Sequence, residues 1–166
     1  RKSFITGAAK GIGLSVARAF AAEGAAVALA DISEEESKKQ SLEIKETFGV
    51  DAIGVKCDVG DTISVQNAIK ETSEAFNGLD TIACMAATLT ERLDVVDLPE
   101  DEWNRTLNVN LTGSFLVCKH GIPFLREAGG GSIILTASQM GQVAWPGSTA
   151  YCTTKGGILQ LSLIHI

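Results

Sequence analysis

Short apolar runs alternate with segments of helical periodicity along this chain. The apolar runs cover residues 4–6, 25–30, 52–57, 81–85 and 132–136. Each run is continuously apolar, without the alternation of a half-exposed strand, so each predicts a strand covered on both faces. Five such strands alternating with helices predict an α/β fold with a parallel, doubly wound sheet.

The segments between the strands predict helices by the spacing of their apolar residues. The first helix carries an apolar stripe at intervals of four, as does a long helix predicted for residues 99–126. The stripes consist of Ile12, Val16 and Phe20 in the first helix and of Trp103, Leu107, Leu111 and Phe115 in the long one. Ser33 and Glu36 match a capping box, and Asp61 is placed to cap a further helix.

The charge balance and the lack of long apolar runs argue against nucleic acid as a partner and against a membrane-spanning helix. The chain has 166 residues, with 14 Lys+Arg against 20 Asp+Glu and a net charge of −6. This balance argues against nucleic acid as a partner, because phosphate binding needs an excess of cations. No apolar run approaches the ~20 residues of a membrane-spanning helix, and residues 1–7 lack the apolar stretch of a secretory signal. No linker or internal repeat interrupts the pattern, which predicts one domain.

Cysteine and histidine are too scattered to predict a metal site. Cys57, Cys84, Cys118 and Cys152 form no CxxC pair, and the two histidines are far apart in sequence. We expect reduced cysteines that serve as small apolar side chains in a cytoplasmic protein.

A glycine-rich turn follows the first strand and opens the first helix. Residues 6–13 read Thr-Gly-Ala-Ala-Lys-Gly-Ile-Gly, which places Gly7, Gly11 and Gly13 in a GxxxGxG spacing. Glycines let a pyrophosphate approach the backbone, and a helix N-terminus offers free N–H groups and positive potential. Glycine clusters also occur for packing alone, and that alternative stays open on these residues.

Two acidic residues stand where strands end. Asp31 ends the second strand, where a carboxylate can accept hydrogen bonds from both ribose hydroxyls of NAD and would repel the 2′-phosphate of NADP. Asp58 ends the third strand, where an acid can reach an adenine amino group. The alternatives are a capping or loop acid at Asp31 and a simple turn residue at Asp58.

Ser138, Tyr151 and Lys155 follow the fifth strand. Tyr151 and Lys155 are four residues apart, so they share one face if Tyr151 lies in a helix. A cation beside a phenol favours the phenolate, which suits acid–base chemistry. Taken alone, the pair is common by chance and is more typical of a surface helix.

Together these segments resemble a classical short-chain dehydrogenase/reductase. The matching segments, in the family's order and spacing, are residues 6–13, Asp31, Cys57-Asp58-Val59, Asn108-Val109-Asn110, Ser138, and Tyr151 with Lys155. The resemblance implies a Rossmann-type fold with strands 1–5 of the family's usual seven, in the order 3-2-1-4-5. It also implies that residues 1–160 form a partial NAD(P)-binding domain.

The resemblance further implies an activity and a catalytic tetrad of Asn110, Ser138, Tyr151 and Lys155. The activity is NAD-dependent interconversion of a secondary alcohol and a ketone by direct hydride transfer, without a metal. Tyr151 would be the acid/base, and Ser138 would hold the carbonyl oxygen. Lys155 would favour the phenolate and bind the nicotinamide ribose, and Asn110 would hold a water that links Lys155 to solvent.

The remaining site residues are also implied by the resemblance. The cofactor-binding residues would be Gly7, Lys10, Gly11, Ile12, Gly13, Asp31, Asp58, Val59, Ala86, Tyr151 and Lys155. The substrate would meet Ser138, Gln139, Met140 and Trp145, although Trp145 is equally placed to pack against Pro146. The implied substrate is a small alcohol or ketone, and the implied assembly is a homodimer or homotetramer.

One segment departs from the family pattern. Cys84-Met85-Ala86-Ala87 stands where the family usually has Asn-Asn-Ala-Gly, which puts cofactor affinity and local stability in question. Lys10 is a basic residue of the kind that sometimes accompanies NADP, but Asp31 favours NAD. Two other interpretations stay open: a non-catalytic dinucleotide-binding scaffold or sensor, and a family member that dehydrates or isomerises its substrate.

The first and last residues suggest a fragment of a longer protein. The chain lacks an initial Met, and residues 161–166, Leu-Ser-Leu-Ile-His-Ile, match the translation of a transposon-end adapter used to prepare DNA libraries. We therefore expect residues 161–166 to be a non-native tail, and the isolated chain to be aggregation-prone and inactive. The alternative is a genuine short protein with an apolar tail.

Overall fold

The computed structural model describes residues 1–164, which form five strands and six helices. The strands are β1 (Lys2–Thr6), β2 (Ala26–Asp31), β3 (Ala52–Lys56), β4 (Thr81–Cys84) and β5 (Ser132–Leu135). The helices are α1 (Gly11–Ala22), α2 (Glu34–Phe48), α3 (Thr62–Phe76), α4 (Glu100–Thr106), α5 (Gly113–Glu127) and α6 (Thr149–Leu163). A π-helical turn (Leu107–Thr112) joins α4 to α5, and a 3₁₀ turn (Gln139–Gly141) precedes α6.

The five strands form one parallel sheet in the order β3-β2-β1-β4-β5, which confirms the predicted fold class and strand order. Neighbouring residues of β1 face opposite sides of the sheet. Phe4 joins the apolar core beneath α3 and α5, and Ile5 joins the core beneath α1 and α2. Both side chains are completely buried, which explains why these successive residues of a central strand are both apolar.

The first helix forms as predicted, and Val16 and Phe20 of its predicted stripe are half-buried against the core, but the completely buried residues lie one position further along. Ile12 is 74% exposed, whereas Gly13, Ala17 and Ala21 face the sheet. A side chain at Gly13 would collide with the Gly7 carbonyl oxygen, so only a glycine permits this close approach. The small residues therefore determine the packed face.

The long helix contains an irregularity that its sequence does not reveal. The π-helical turn inserts a wider turn between α4 and α5, which rotates the buried face. Thr106, Asn110 and Val117 are buried, whereas Phe115 of the predicted stripe is 46% exposed.

One of the two predicted helix caps is confirmed. The Asp61 carboxylate accepts a hydrogen bond from the Ser64 backbone amide at 2.6 Å. The capping box at Ser33 is wrong, because its side chain makes no capping bond. The Ser33 backbone lies outside the extended conformation that capping favours, and its amide donates instead to Asp31 at 3.0 Å.

The fifth strand forms as the sequence predicts, but the prediction that it is buried is wrong. β5 lies at the edge of the sheet formed by residues 1–164, and Ile134 is 44% exposed because β5 pairs only with β4. Of the predicted non-native tail, Leu161 to Leu163 continue α6, and residues 165–166 lie outside the described residues. Across residues 1–164, every helix is too short or too polar to cross a membrane.

Candidate active site

Parallel pairing brings the carboxyl ends of all five strands to one edge of the sheet. In an open α/β sheet this edge is where ligands bind. Five of the predicted site residues lie at this edge, each at or just after the end of a strand. They are Gly7 after β1, Asp31 at the end of β2, Asp58 after β3, Ala86 after β4 and Ser138 after β5. The tertiary structure therefore collects residues that are far apart in sequence.

The glycine-rich turn has the close backbone approaches that a phosphate-binding loop requires. Gly7 has a φ of +63°, and a Cβ there would lie 2.7 Å from the Ala86 Cα. Gly11 has a φ of +60°, and a Cβ there would meet nothing within 4 Å. The turn is thus packed against the chain on one side and open on the other. Lys10 and Ile12 are both exposed at this open side.

The Asp31 carboxylate connects the glycine-rich turn to the end of β2. One carboxylate oxygen accepts a hydrogen bond from the Ala9 amide at 3.1 Å, and the other accepts one from Ser33 at 3.0 Å. Asp31 is half-buried, and each oxygen keeps a second lone pair. Asp31 thus has a structural role, and it retains acceptor capacity for ribose hydroxyls.

Asp58 and Val59 have structural contacts of their own. The exposed Asp58 carboxylate accepts from the Gly60 amide at 2.9 Å, which matches the turn-residue alternative. Val59 is buried, and its side chain packs against Gly113 at the start of α5. The structure places the Val59 side chain in the core rather than on the open edge.

The segment after β4 is held without the asparagine amides that the family usually has there. The Thr6 hydroxyl oxygen accepts hydrogen bonds from the backbone amides of Met85 and Ala86, both at 3.1 Å. The Thr136 hydroxyl donates to the Met85 sulfur at 3.0 Å. Sequence reasoning missed Thr6 and Thr136, although each closes a strand at the ligand-binding edge.

Two cysteines fill the space beside this segment. The buried Cys84 thiol on β4 donates a hydrogen bond to Cys118 on α5, and this bond together with burial raises the pKa of Cys84 above its ordinary value. All four cysteines are free thiols. Within residues 1–164, no cluster of three or more His, Cys, Asp or Glu side chains is arranged to hold a metal ion.

Asn110 lies in the π-helical turn with 1% of its surface exposed. Its side-chain oxygen accepts from the Thr88 amide at 2.8 Å, and its side-chain nitrogen donates to the Thr88 carbonyl at 3.0 Å. The same nitrogen donates to the Thr154 hydroxyl on α6 at 3.3 Å. Asn110 therefore joins the segment after β4 to the helix that carries Tyr151 and Lys155.

Tyr151 and Lys155 lie on α6, as their spacing predicted. The Lys155 Nζ is 5.5 Å from the centroid of the Tyr151 ring and donates a hydrogen bond to the Thr136 carbonyl at 2.6 Å. Lys155 is only 3% exposed, and this burial lowers the pKa of its ammonium. The buried cation thus stands beside the phenol at the carboxyl edge of the sheet.

The 3₁₀ turn holds Ser138 next to α6. The Ser138 hydroxyl oxygen accepts from the Met140 amide at 3.1 Å, and a Cβ at Gly141 would lie 2.6 Å from the Lys155 carbonyl oxygen. Ser138 is half-buried. The turn and the helix therefore form one continuous part of the site.

Of the predicted substrate residues, Met140 is half-buried, and Gln139 and Trp145 are exposed. The guanidinium of Arg92 lies 5.0 Å from the centroid of the Trp145 ring. Sequence reasoning missed Arg92, because a contact between residues 53 positions apart leaves no periodic signal.

A parallel sheet of this order, with a glycine-rich turn between its first strand and first helix, defines a Rossmann-type nucleotide-binding protein. The family model for the short chain dehydrogenases matches residues 1–164. The chain therefore belongs to the short-chain dehydrogenase family, which confirms the resemblance drawn from its motifs.

Relatives of established name agree with this assignment. The chain is 35% identical to the D-threitol dehydrogenase of Mycolicibacterium smegmatis over 98% of its own length and 62% of that protein. It is 38% identical to the 2,5-dichloro-2,5-cyclohexadiene-1,4-diol dehydrogenase of Sphingobium indicum over 96% of its own length and 63% of that protein. The chain thus spans about three-fifths of the length of these curated relatives.

Solved structures show the same fold. The alcohol dehydrogenase of Thermococcus sibiricus, solved with 5-hydroxy-NADP, superimposes with a TM-score of 0.92 at 29% identity. The match covers 98% of this chain and 68% of that one.

Proposed function

We propose that this chain is the cofactor-binding and catalytic part of an NAD-dependent dehydrogenase that interconverts a secondary alcohol and a ketone. The observation that carries the proposal is the buried ammonium of Lys155, 5.5 Å from the Tyr151 ring, at the edge where the glycine-rich turn lies. A buried ammonium beside a phenol supports a tyrosine that exchanges a proton with the substrate, so we assign the acid/base role to Tyr151.

The residues at the glycine-rich turn fit a nicotinamide dinucleotide. Gly11 leaves open space in front of the N-terminus of α1, where N–H groups and the helix dipole favour a pyrophosphate. The remaining acceptor capacity of the Asp31 carboxylate supports its assignment to the ribose hydroxyls, and its charge supports NAD over NADP. Lys10 and Ile12 are exposed at the same open side. We assign Gly7, Gly13, Ala86, Asp58 and Val59 to the same cofactor-binding set, in which Gly7, Gly13 and Ala86 hold the turn in place by close backbone packing. When bound, the cofactor supplies the hydride acceptor or donor.

The chain's own residues handle the proton. In alcohol oxidation, the Tyr151 oxygen takes the proton of the substrate hydroxyl, and the Ser138 hydroxyl holds the same substrate oxygen. Lys155 stabilises the phenolate and is itself held by the Thr136 carbonyl. Asn110, whose side-chain amide is engaged by Thr88 and Thr154, positions a water that connects Lys155 to solvent.

The substrate side and the assembly belong to the same proposal. We assign Gln139, Met140 and Trp145, which follow Ser138 in the chain, to the substrate side, where they would give the binding space a partly apolar character. The half-buried to exposed apolar side chains of the α4–α5 region support a homodimer or homotetramer of the complete protein. These side chains are Trp103, Leu107, Leu111 and Phe115. The reduced cysteines support a cytoplasmic protein.

The test is a spectrophotometric assay of the protein at its natural length with NAD and a panel of secondary alcohols. We expect NADH to form with at least one alcohol, and the purified product to be the ketone. NAD binding without turnover of any alcohol would favour a scaffold or sensor. Substrate consumption without NADH formation would favour dehydration or isomerisation.

A further inference from the structure

The loop that joins the Ser138 turn to α6 is mostly exposed. We call residues 142–148 the Trp145 loop; it separates two members of the proposed tetrad along the chain. Trp145 itself is 50% exposed, and the preceding Val143 is 57% exposed. A loop with so little burial depends on specific contacts to keep one conformation.

Two of these contacts come from one segment, which follows β4 in the chain. We call residues 88–93 the strap, because they follow β4 and reach across to the Trp145 loop. The Leu93 amide donates a hydrogen bond to the Gly147 carbonyl at 3.0 Å. The Arg92 guanidinium lies over the Trp145 ring, 5.0 Å from its centroid, which is a cation–π geometry.

The backbone of the Trp145 loop is adapted to this contact. Gly147 has a φ of +76°, and a Cβ there would lie 3.2 Å from the Arg92 Cβ. A side chain at this position would be strained and would press on the strap. The glycine thus permits the close approach that the Leu93 hydrogen bond requires.

The other end of the strap is fixed to the proposed tetrad. Asn110 binds both the amide and the carbonyl of Thr88, and the Arg105 side chain donates to the Thr88 hydroxyl. The strap therefore connects Asn110 at one end with the loop between Ser138 and Tyr151 at the other.

We propose that Arg92 is a positioning residue, which holds Trp145 and its loop as one wall of the substrate-binding space. Within residues 1–164, Arg92 has no carboxylate within ion-pair distance, although Glu91 and Asp94 flank it in sequence. The indole ring is the partner that the structure gives its guanidinium. This inference rests on the proposed function, since it assigns Arg92 to the substrate rather than to the chemical step.

The kinetic test compares R92Q and R92K in the protein at its natural length. We expect R92Q to raise KM for the alcohol about two- to fivefold with kcat unchanged, because an exposed cation–π contact contributes roughly that factor. R92K keeps a cation and should restore KM to within about twofold. In a W145L background, R92Q should change KM by less than about 1.5-fold, because the partner ring is already gone. R126Q, at the exposed end of α5 near the opposite edge of the sheet, is the matched control.

A second readout does not depend on turnover. The chain has two tryptophans, so W103F leaves Trp145 as the only tryptophan, whose emission is selected by exciting above the absorption band of Tyr151. In that background we expect R92Q to increase acrylamide quenching of Trp145, and R126Q to leave it unchanged.

Unchanged quenching in R92Q would overturn the proposal, as would increased quenching with an unchanged KM. A loss of kcat equal to the rise in KM would also overturn it, since Arg92 would then act on the chemical step. If no alcohol is turned over, the proposed function fails, and the quenching comparison alone decides whether Arg92 holds Trp145.

Discussion

The Asp31 carboxylate accepts a hydrogen bond from the Ala9 backbone amide at 3.1 Å, which ties the end of β2 to the glycine-rich turn. The acid proposed to select the cofactor thus also helps to hold the loop proposed to bind its phosphates. Replacing it changes both local structure and charge, so its two roles must be separated by paired variants.

For cofactor selection, we expect the parent protein to prefer NAD, Asp31→Asn to reduce that preference, and Asp31→Arg to reverse it. Asn keeps an acceptor for Ala9 but loses the charge, whereas Arg adds a cation for the 2′-phosphate of NADP. A charge-assisted hydrogen bond contributes about 1.5–3 kcal/mol, so the ratio of kcat/KM values should change about 10- to 100-fold. Asp51→Arg, an exposed acid at the opposite edge, is the charge control. Equal turnover of NADP by the parent would contradict the assignment.

For proton transfer, we expect Tyr151→Phe to lower kcat about 10²- to 10⁴-fold, the usual contribution of general acid–base catalysis. The phenylalanine ring keeps its packing and loses only the acidic hydroxyl, so NAD affinity measured by calorimetry should be unchanged. Lys155→Ala should reduce both rate and affinity. A Tyr151→Phe rate within about threefold of the parent would exclude Tyr151 as the acid/base.

For the phosphate-binding role of the turn, we expect Gly11→Ala and Gly24→Ala to cost similar stability but to differ in NAD affinity. Both glycines have positive φ, +60° and +82°, and neither has a neighbour within 4 Å of an added Cβ. Each substitution should therefore cost about 1–2 kcal/mol in urea unfolding. Gly24 lies at the other end of α1, so only Gly11→Ala should weaken NAD binding. Equal affinity in both variants would show that the turn serves packing alone.

For the segment after β4, we expect Thr6→Val to destabilise the fold and Thr6→Ser to leave it nearly unchanged. Valine has the same shape as threonine but leaves the amides of Met85 and Ala86 without their acceptor. Each unsatisfied donor costs about 1–3 kcal/mol, and serine retains the oxygen that accepts both bonds. Chemical unfolding of the three proteins measures the difference. A loss of stability in Thr6→Ser with none in Thr6→Val would contradict the prediction and assign the effect to the methyl group.

For the thiols, we expect one of four to react rapidly with Ellman's reagent in the native chain at pH 8, and all four in denaturant. Cys152 is half-buried, and the other three are buried. Burial, with Asp58 and Asp31 nearby, raises the pKa of Cys57 to about 12, so its reactive thiolate is scarce at pH 8. A Cys152→Ala variant should show no rapid phase. Two or more rapid thiols in the parent would mean that the core opens readily.

The sequence by itself determined the fold class through its apolar runs, and the family and its strand order through the resemblance of its motifs. Continuous apolar runs such as residues 25–30 predict strands buried on both faces, because an exposed face would carry polar residues. The Tyr151–Lys155 spacing predicted a shared helix face, because four residues make about one turn. These properties are local and repeat along the chain, so one sequence is enough to detect them.

Only the tertiary structure decided which helix faces pack and which side chains meet. Ile12 belongs to a regular apolar stripe yet is exposed, because the glycine at position 13 lets the adjacent face of the helix approach the sheet more closely. The contacts of Arg92 with Trp145 and of Asn110 with Thr88 join residues 53 and 22 positions apart. Such contacts depend on where parallel strands bring their loops, and no local pattern encodes that placement.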